Sequence, residues 1–251
     1  MKTSNIFILS AFLILVISLG IYNTALKAEY QKGTYRDPLK DYVSYKLDGF
    51  DEVEINSAGM MHVTIQQGPF SVRKTKYSQD SVKITKVGSR LMVNIDLDAQ
   101  PSVTNPDGTV RMGYNELIIT CPKLNVLKTD TYYTIKGAKP ATMNFTASYN
   151  GWDPNSIVLS KFKQDSLSVK EIDGMVIIRS CDLGFLNAGT EKGSYLVIES
   201  CNQIKKADLA INGSSTLKMS GAGVQQLNFA AADSAHISLS GSVLNHLITK
   251  K

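Results

Sequence analysis

From Phe50 onward the chain alternates apolar and polar residues in short bursts. "FDEVEIN" (50–56), "HVTIQ" (62–66), "FSVRKT" (70–75), "SVKIT" (81–85) and "LMVNIDLD" (91–98) each carry the two-residue period of a half-buried strand. They are rich in Val and Ile, and Gly or polar turns such as Gly68-Pro69 and Gly88-Ser89 separate them. No window after residue 30 keeps a helical apolar period, so little helix is expected there. The beginning of the chain is different: no charge lies between Lys2 and Lys27, and the apolar centre from Ile6 to Tyr22 runs for 17 residues. This predicts an N-terminal transmembrane helix within a membrane segment of residues 1–28. The run exceeds the roughly 7–15 residues of a signal-peptide core, which favours an uncleaved anchor. The alternative is a signal peptide cleaved near Leu26-Lys27-Ala28. Lys27, Lys32 and Arg36 follow the run while Lys2 precedes it, so positive charge leaves the orientation open. Residues 29–49 read as a polar linker.

The rest, residues 50–251, reads as one β domain with two breaks in its pattern. "AQPSVTNPDGTVRMGYN" (99–115) and "GAKPATMNFTASYNGWDPN" (137–155) hold four of the seven prolines and read as long inserted loops, the places to look for binding. Irregular coils are expected over 50–136 and regular ones over 156–251. In the regular part "IVLSK", "VIIRSC", "LVIESC", "TLKMSG" and "HISLSG" place serine at 160, 180, 200, 220 and 240, a period of 20 residues over five units. Asp173-Gly174, Gly193-Ser194, Gly213-Ser214 and Asp233-Ser234 keep the same time at turns. A second strand follows in each unit, at "LSVKE", "FLNAG", "DLAIN", "LNFAA" and "HLITK".

Such a repeat points to stacked units. The leucine-rich pattern is missing and the units leave no room for a helix, so the fold class expected is all-β: a single-stranded parallel β-helix, or β-solenoid, with coils of about 20 residues. Each coil would advance about 4.8 Å. One slip is expected, because Leu196 and Ile198 point inward in one unit whereas Leu217 and Met219 do so in the next.

With those strands in place, "FDEVEINSAGMMHVTIQQGPFSVRKTKY" followed by "LMVNIDLD", and the Ser-Gly coils of "KMSGAGVQQLNFAAADSAHISLSGS", resemble the auto-transporter adhesin head GIN domain family of Bacteroidetes-type envelopes. The likeness covers Phe50 to His246. It departs in the two loops and in Cys181 and Cys201, which stand where glycine often closes the coil. The resemblance implies an extracytoplasmic β-solenoid and carries over no catalytic residue.

Charge and chemistry narrow the function further. The net charge of +5 comes from 27 basic and 22 acidic residues without a basic run, which speaks against nucleic acid as a partner. Cys121, Cys181 and Cys201 are too few for a disulfide framework and lack zinc spacing; His62, His236 and His246 lie far apart in sequence. No catalytic or metal site is expected, and no cofactor. Ser71/Lys74 and Ser160/Lys163 have the Ser-x-x-Lys spacing without its companion elements, and the glycosylation patterns at Asn144 and Asn212 are silent in a bacterium.

Cys181 and Cys201, 20 apart on neighbouring coils, would lie within disulfide reach; a cross-rung disulfide and two stacked free thiols both fit. Tyr132, Tyr133, Tyr149 and Trp152 lie in or beside the second loop and could stack on a glycan, anchor an envelope protein, or simply cover the domain's flank. After "HLIT" the chain shows no capping helix, only Lys250 and Lys251, so the last coil is a candidate for self-association. The reading is a non-enzymatic, membrane-anchored extracytoplasmic scaffold or adhesion-type binding module, in the periplasm or at the cell surface. A protein secreted after cleavage is the alternative location. The rival functions are a bactofilin-like filament and a carbohydrate-active β-helix enzyme.

Overall fold

The computed structural model describes residues 3–33, 37–78, 81–98, 115–138, 141–142, 155–221, 223–241 and 243. The chain divides into two units, Met1–Tyr42 and Val43–Lys251. The first holds one helix, α1 (Thr3–Gln31), whose span Asn5–Gln31 is long and apolar enough to cross a membrane. It extends past the segment read as anchor, because Lys27 to Gln31 have good helix propensity and no breaker before Gly33.

The second unit is mostly β and consists of two sheets. The first has the order β1 (Tyr42–Tyr45), β4 (Ser71–Thr75), β7 (Glu116–Cys121), β3 (His62–Gln67), β11 (Ile157–Ser160), β13 (Met175–Arg179), β15 (Tyr195–Ile198), β17 (Thr216–Ser220), β19 (His236–Ser240). The second runs β10 (Ala141–Thr142), β9 (Tyr132–Ile135), β6 (Arg90–Leu97), β2 (Glu52–Ile55), β8 (Val126–Thr129), β12 (Lys163–Glu171), β14 (Asp182–Thr190), β16 (Gln203–Ile211), β18 (Gly223–Ala231), with β5 (Ser81–Val87) beside β6. Strand β1 falls in the segment read as linker.

The expectation of uniformly parallel strands needs correction. β4 pairs antiparallel with β7, β5 with β6 and β10 with β9. The β5–β6 pairing follows from its turn: only Gly88 and Ser89 join the strands, and Gly88 takes φ +61, which a two-residue hairpin loop demands. Strand order in this half is not chain order either. β2 and β3 sit mid-sheet, with β6 and β7 added on one side and β8 and β11 on the other.

From Ile157 the strands alternate between the sheets and pair only in parallel. Inward side chains stack in columns, as in Leu167, Leu186, Ala207 and Leu227, and they join inward residues of the first sheet in one core. Burying each of these leucines fully is worth about 1.5–3 kcal/mol. The spacing, however, is not a constant 20. Partners along β11, β13, β15, β17 and β19 lie 19, 20, 21 and 20 residues apart, and Ser160 faces Arg179 rather than Ser180.

The corners explain the variation. Three residues, Ile172 to Gly174, join β12 to β13, whereas four, Glu191 to Ser194, join β14 to β15. The corner after Ile198 likewise holds one residue more, Glu199 to Asn202, than the corner after Ile178. That extra residue is the expected slip between Leu196 and Leu217.

Among the described residues the second unit carries one short 3-10 turn, Ala58–Met60, and helical backbone at Val243, which is buried in the main core.

Candidate functional site

Outward residues of β11, β13 and β15 depart from the apolar-in, polar-out rule. Val158, Met175, Ile177 and Val197 are buried and form a second cluster on the outer face of the first sheet, with Tyr195 packed against it. The continuous apolar runs "IVLS", "MVIIR" and "YLVI" are the sequence signature of strands buried on both faces.

A groove of about 420 Å³ lies on that face across β3, β11 and β13. Val158 and Ile177 form an apolar floor, and the polar lining includes His62, Thr64, Gln66, Ser160, Lys161 and Ser180. None of its described lining residues is acidic. On β3, Thr64 Oγ1 and His62 Nε2 lie 3.4 Å apart, and His62 Nδ1 lies 3.4 Å from Ser156 Oγ on β11. This serine–histidine contact does not make a nucleophile: Ser156 is 1% exposed and, among the described residues, the far nitrogen of His62 faces a hydroxyl rather than a carboxylate. Arg179 at the groove edge donates Nε and Nη2 to the two oxygens of Glu199, at 2.6 and 2.7 Å.

Lys161 and Ser180 occupy a corner that requires left-handed backbone, with φ +63 and +53. Gly221 and Gly241 hold the same place in later units, with φ +61 and +71, and the corner bond recurs as Lys161 N to Arg179 O and Gly221 N to Ser240 O. A side chain in this conformation costs roughly 1–2 kcal/mol, which glycine avoids. At this corner position the two units with a side chain in left-handed backbone, Lys161 and Ser180, lie beside the groove; Lys136 and Lys192 take positive φ elsewhere.

Of the aromatic residues singled out from sequence, two fall among the described residues. Tyr132 and Tyr133 lie on β9 in the second sheet, and Tyr133 packs on the core. Burial raises the pKa of the Tyr132 phenol, and the charges of Glu54 and Asp130 add to this. Tyr149 and Trp152 lie outside the described residues.

Cys181 and Cys201 are both free. Stacking of the two cysteines, as a disulfide or as thiols, required a 20-residue coil, but the added corner residue leaves Cys201 exposed and brings Asn202 level with Cys181. Cys181 N donates to Asn202 Oδ1 at 2.9 Å, and Asn202 Nδ2 donates to Ile178 O and Glu199 O at 2.8 and 2.7 Å. Cys201 Sγ instead accepts from Ser180 N at 3.2 Å. Burial pushes the Cys181 thiol up to about 11 and that of Cys121 to about 12.

Two other polar clusters are structural. Asp96 accepts from Lys83, from Thr134 Oγ1 at 2.7 Å and from Gly137 N at 2.8 Å, which lowers its pKa to about 2 and ties β5, β6 and β9 together. Glu171 is 1% exposed, and neither carboxylate oxygen has a hydrogen-bond partner; nor does Oγ1 of Thr190, its neighbour on β14. Burial raises the Glu171 pKa well above its ordinary value. The nearby Tyr195 N–H offsets this only in part, being already donated to Gly174 O at 2.9 Å. A shallower hollow of about 330 Å³ on the second sheet is lined by Asn187, Asp208, Asn228 and Phe229. There Asn228 Nδ2 donates to Asp208 Oδ1 at 2.8 Å; this bond and Lys206 lower the pKa of Asp208.

Sequence reading missed the groove because its walls come from strands far apart in the chain, His62 and Ser156 being 94 residues apart. The signals that could have found it were the continuous apolar runs and the lysine and serine at glycine's place in the corner.

No protein-family model matches the chain, and no curated protein matches it. Solved structures do. A candidate adhesin from Parabacteroides distasonis is 11% identical, with 79% of this chain and 73% of that one covered and a TM-score of 0.53. A candidate adhesin from Bacteroides fragilis is 10% identical over 79% and 95% of the chains with a TM-score of 0.36. A candidate lipid-binding protein from P. distasonis is 12% identical over 79% and 92% with a TM-score of 0.38. The first of these likenesses shows that the chain has the overall fold of a candidate Bacteroidetes adhesin.

Proposed function

We propose that this protein is a non-enzymatic binding module of a bacterial envelope, tethered by α1, with its β domain outside the cytoplasm. Its scaffold is a β-solenoid of about 20-residue coils of the head GIN kind, irregular at its N-terminal end. The parallel pairing at offsets of 19 to 21 residues supports that reading. The observation that carries the function is the groove: hydroxyl and amide side chains over an apolar floor, mounted on rigid strands. Such a lining suits a glycan, whose hydroxyls pair with polar side chains along the groove.

The test is capture from a glycan panel and from envelope-protein extracts by the full-length chain in detergent micelles. Thr64→Trp, which fills the groove from an outward position on β3, should abolish capture without changing thermal unfolding. Equal capture by both proteins would overturn the assignment. Trp152→Ala measures whether the second loop contributes.

One observation favours a second reading, self-association through the terminal strands β18 and β19. Among the described residues they end their sheets, and the inward-phase Phe229 is 41% exposed. Filaments of the full chain by electron microscopy would support it, and a monomer at high concentration would exclude it.

A further inference from the structure

We infer that the groove on the first sheet selects saccharides carrying an anionic group, and that Lys161 supplies the selecting charge. This rests on the groove being a glycan site. Three observations lead to it. The described lining contains cationic Lys161 and Arg179 and no carboxylate. Arg179 is already engaged by Glu199 in a bidentate pair, so it stiffens the edge, whereas Lys161 forms no ion pair with any described residue and is exposed.

The third observation is the backbone. Among the described residues four non-glycine positions have positive φ, Lys136, Lys161, Ser180 and Lys192, and two of these line this groove. In the last two units glycine, Gly221 and Gly241, holds the equivalent place, and neither lines this groove; the Glu199–Asn202 corner between them and Ser180 takes no positive φ. Glycine would fit this backbone at lower cost, and the side chain that Lys161 bears there lines the groove. Lys161 lines the groove together with Ser160, Ser180, Val158 and Ile177, and its side chain is exposed. A sugar ring would sit among the hydroxyl and amide side chains of the groove while a carboxylate, sulfate or phosphate on the ring accepts hydrogen bonds from Lys161 Nζ and the corner hydroxyls.

Fold and function therefore pull in opposite directions at Lys161, which gives a test with two independent readouts. The full-length chain in neutral-detergent micelles is titrated calorimetrically with digalacturonate, with its neutral methyl diester and with galactose 6-phosphate. The anionic probes should bind about tenfold or more tighter than the diester, and added salt should narrow the gap. Preference for digalacturonate or for galactose 6-phosphate tells a carboxylate source from a phosphate one. Lys161→Gly should erase the anion preference while its thermal midpoint stays level or rises; Lys161→Arg should keep the preference. The inference fails if the diester binds as tightly as digalacturonate, or if Lys161→Gly keeps the wild-type preference. Binding of neutral sugars without anion preference would sink this inference alone. Failure of all three probes together with the glycan panel would remove the groove's assignment as a glycan site as well.

Discussion

Replacing Asn202 tests whether the corner slip is held by its side chain. Asn202 is fully buried, and its amide bonds to three backbone groups: the N–H of Cys181 and the carbonyls of Ile178 and Glu199. Those carbonyls keep other partners, since Ile178 O also accepts from Glu199 N at 3.1 Å and Glu199 O from Asn202 N at 3.4 Å. In Asn202→Ala the Cys181 N–H is left buried and unpaired, a cost of about 1–3 kcal/mol. The two lost donations add about 0.5–1.5 kcal/mol each, so a total of about 2–6 kcal/mol is expected.

Asn202→Asp separates hydrogen bonding from packing, because it keeps the shape and the acceptor for Cys181 but turns an oxygen towards two carbonyls. It can satisfy one of them only when protonated, so this variant should be more stable, relative to wild type, near pH 4 than near pH 7. Urea unfolding of the full-length chain in micelles, followed by β-sheet circular dichroism at both pH values, measures both effects. A cost below about 1 kcal/mol for Asn202→Ala, or a pH-independent Asn202→Asp, would refute the account of the corner.

Two further outcomes follow from buried groups. The folded-state pKa of Glu171 lies above its unfolded value, so its contribution to stability is fully present below about pH 4.5 and declines as pH rises towards the folded value. Glu171→Gln should therefore raise the thermal midpoint near pH 8 and leave it unchanged near pH 4; an equal shift at both would contradict the buried neutral acid. Maleimide labelling of the native protein should modify exposed Cys201 rapidly, and Cys121 and Cys181 only after denaturation, because their thiols are buried with raised pKa values. Mass spectrometry without reductant should find no Cys181–Cys201 bond, and finding one would mean that the two side chains share a corner position after all.

The alternating pattern marked β2 to β6 almost at their observed bounds, and the repeat marked β11 to β19 with their parallel pairing. Alternation works because successive side chains on a strand face opposite sides, so burial is written locally, residue by residue. The apolar run before Lys27 was legible for a similar reason, since no charged side chain interrupts it. The slip between Leu196 and Leu217 was also readable, because a one-residue shift inverts which side chains face the core.

Which strands become neighbours was decided elsewhere. A two-residue period carries no information about partner or direction, so β4 and β5 looked like the other strands and turned out antiparallel. The corner counts that set offsets of 19, 20 and 21 depend on backbone bonds around Gly174, Ser194 and Asn202, and the serine spacing averaged over them. The chain by itself thus determined a membrane-length helix, a β domain and a stacked repeat, because those rest on local periodicity. Only the tertiary structure separated Cys181 from Cys201 and brought His62, Ser156 and Lys161 to one groove, because these depend on long-range register, in which a single added corner residue moves every side chain that follows.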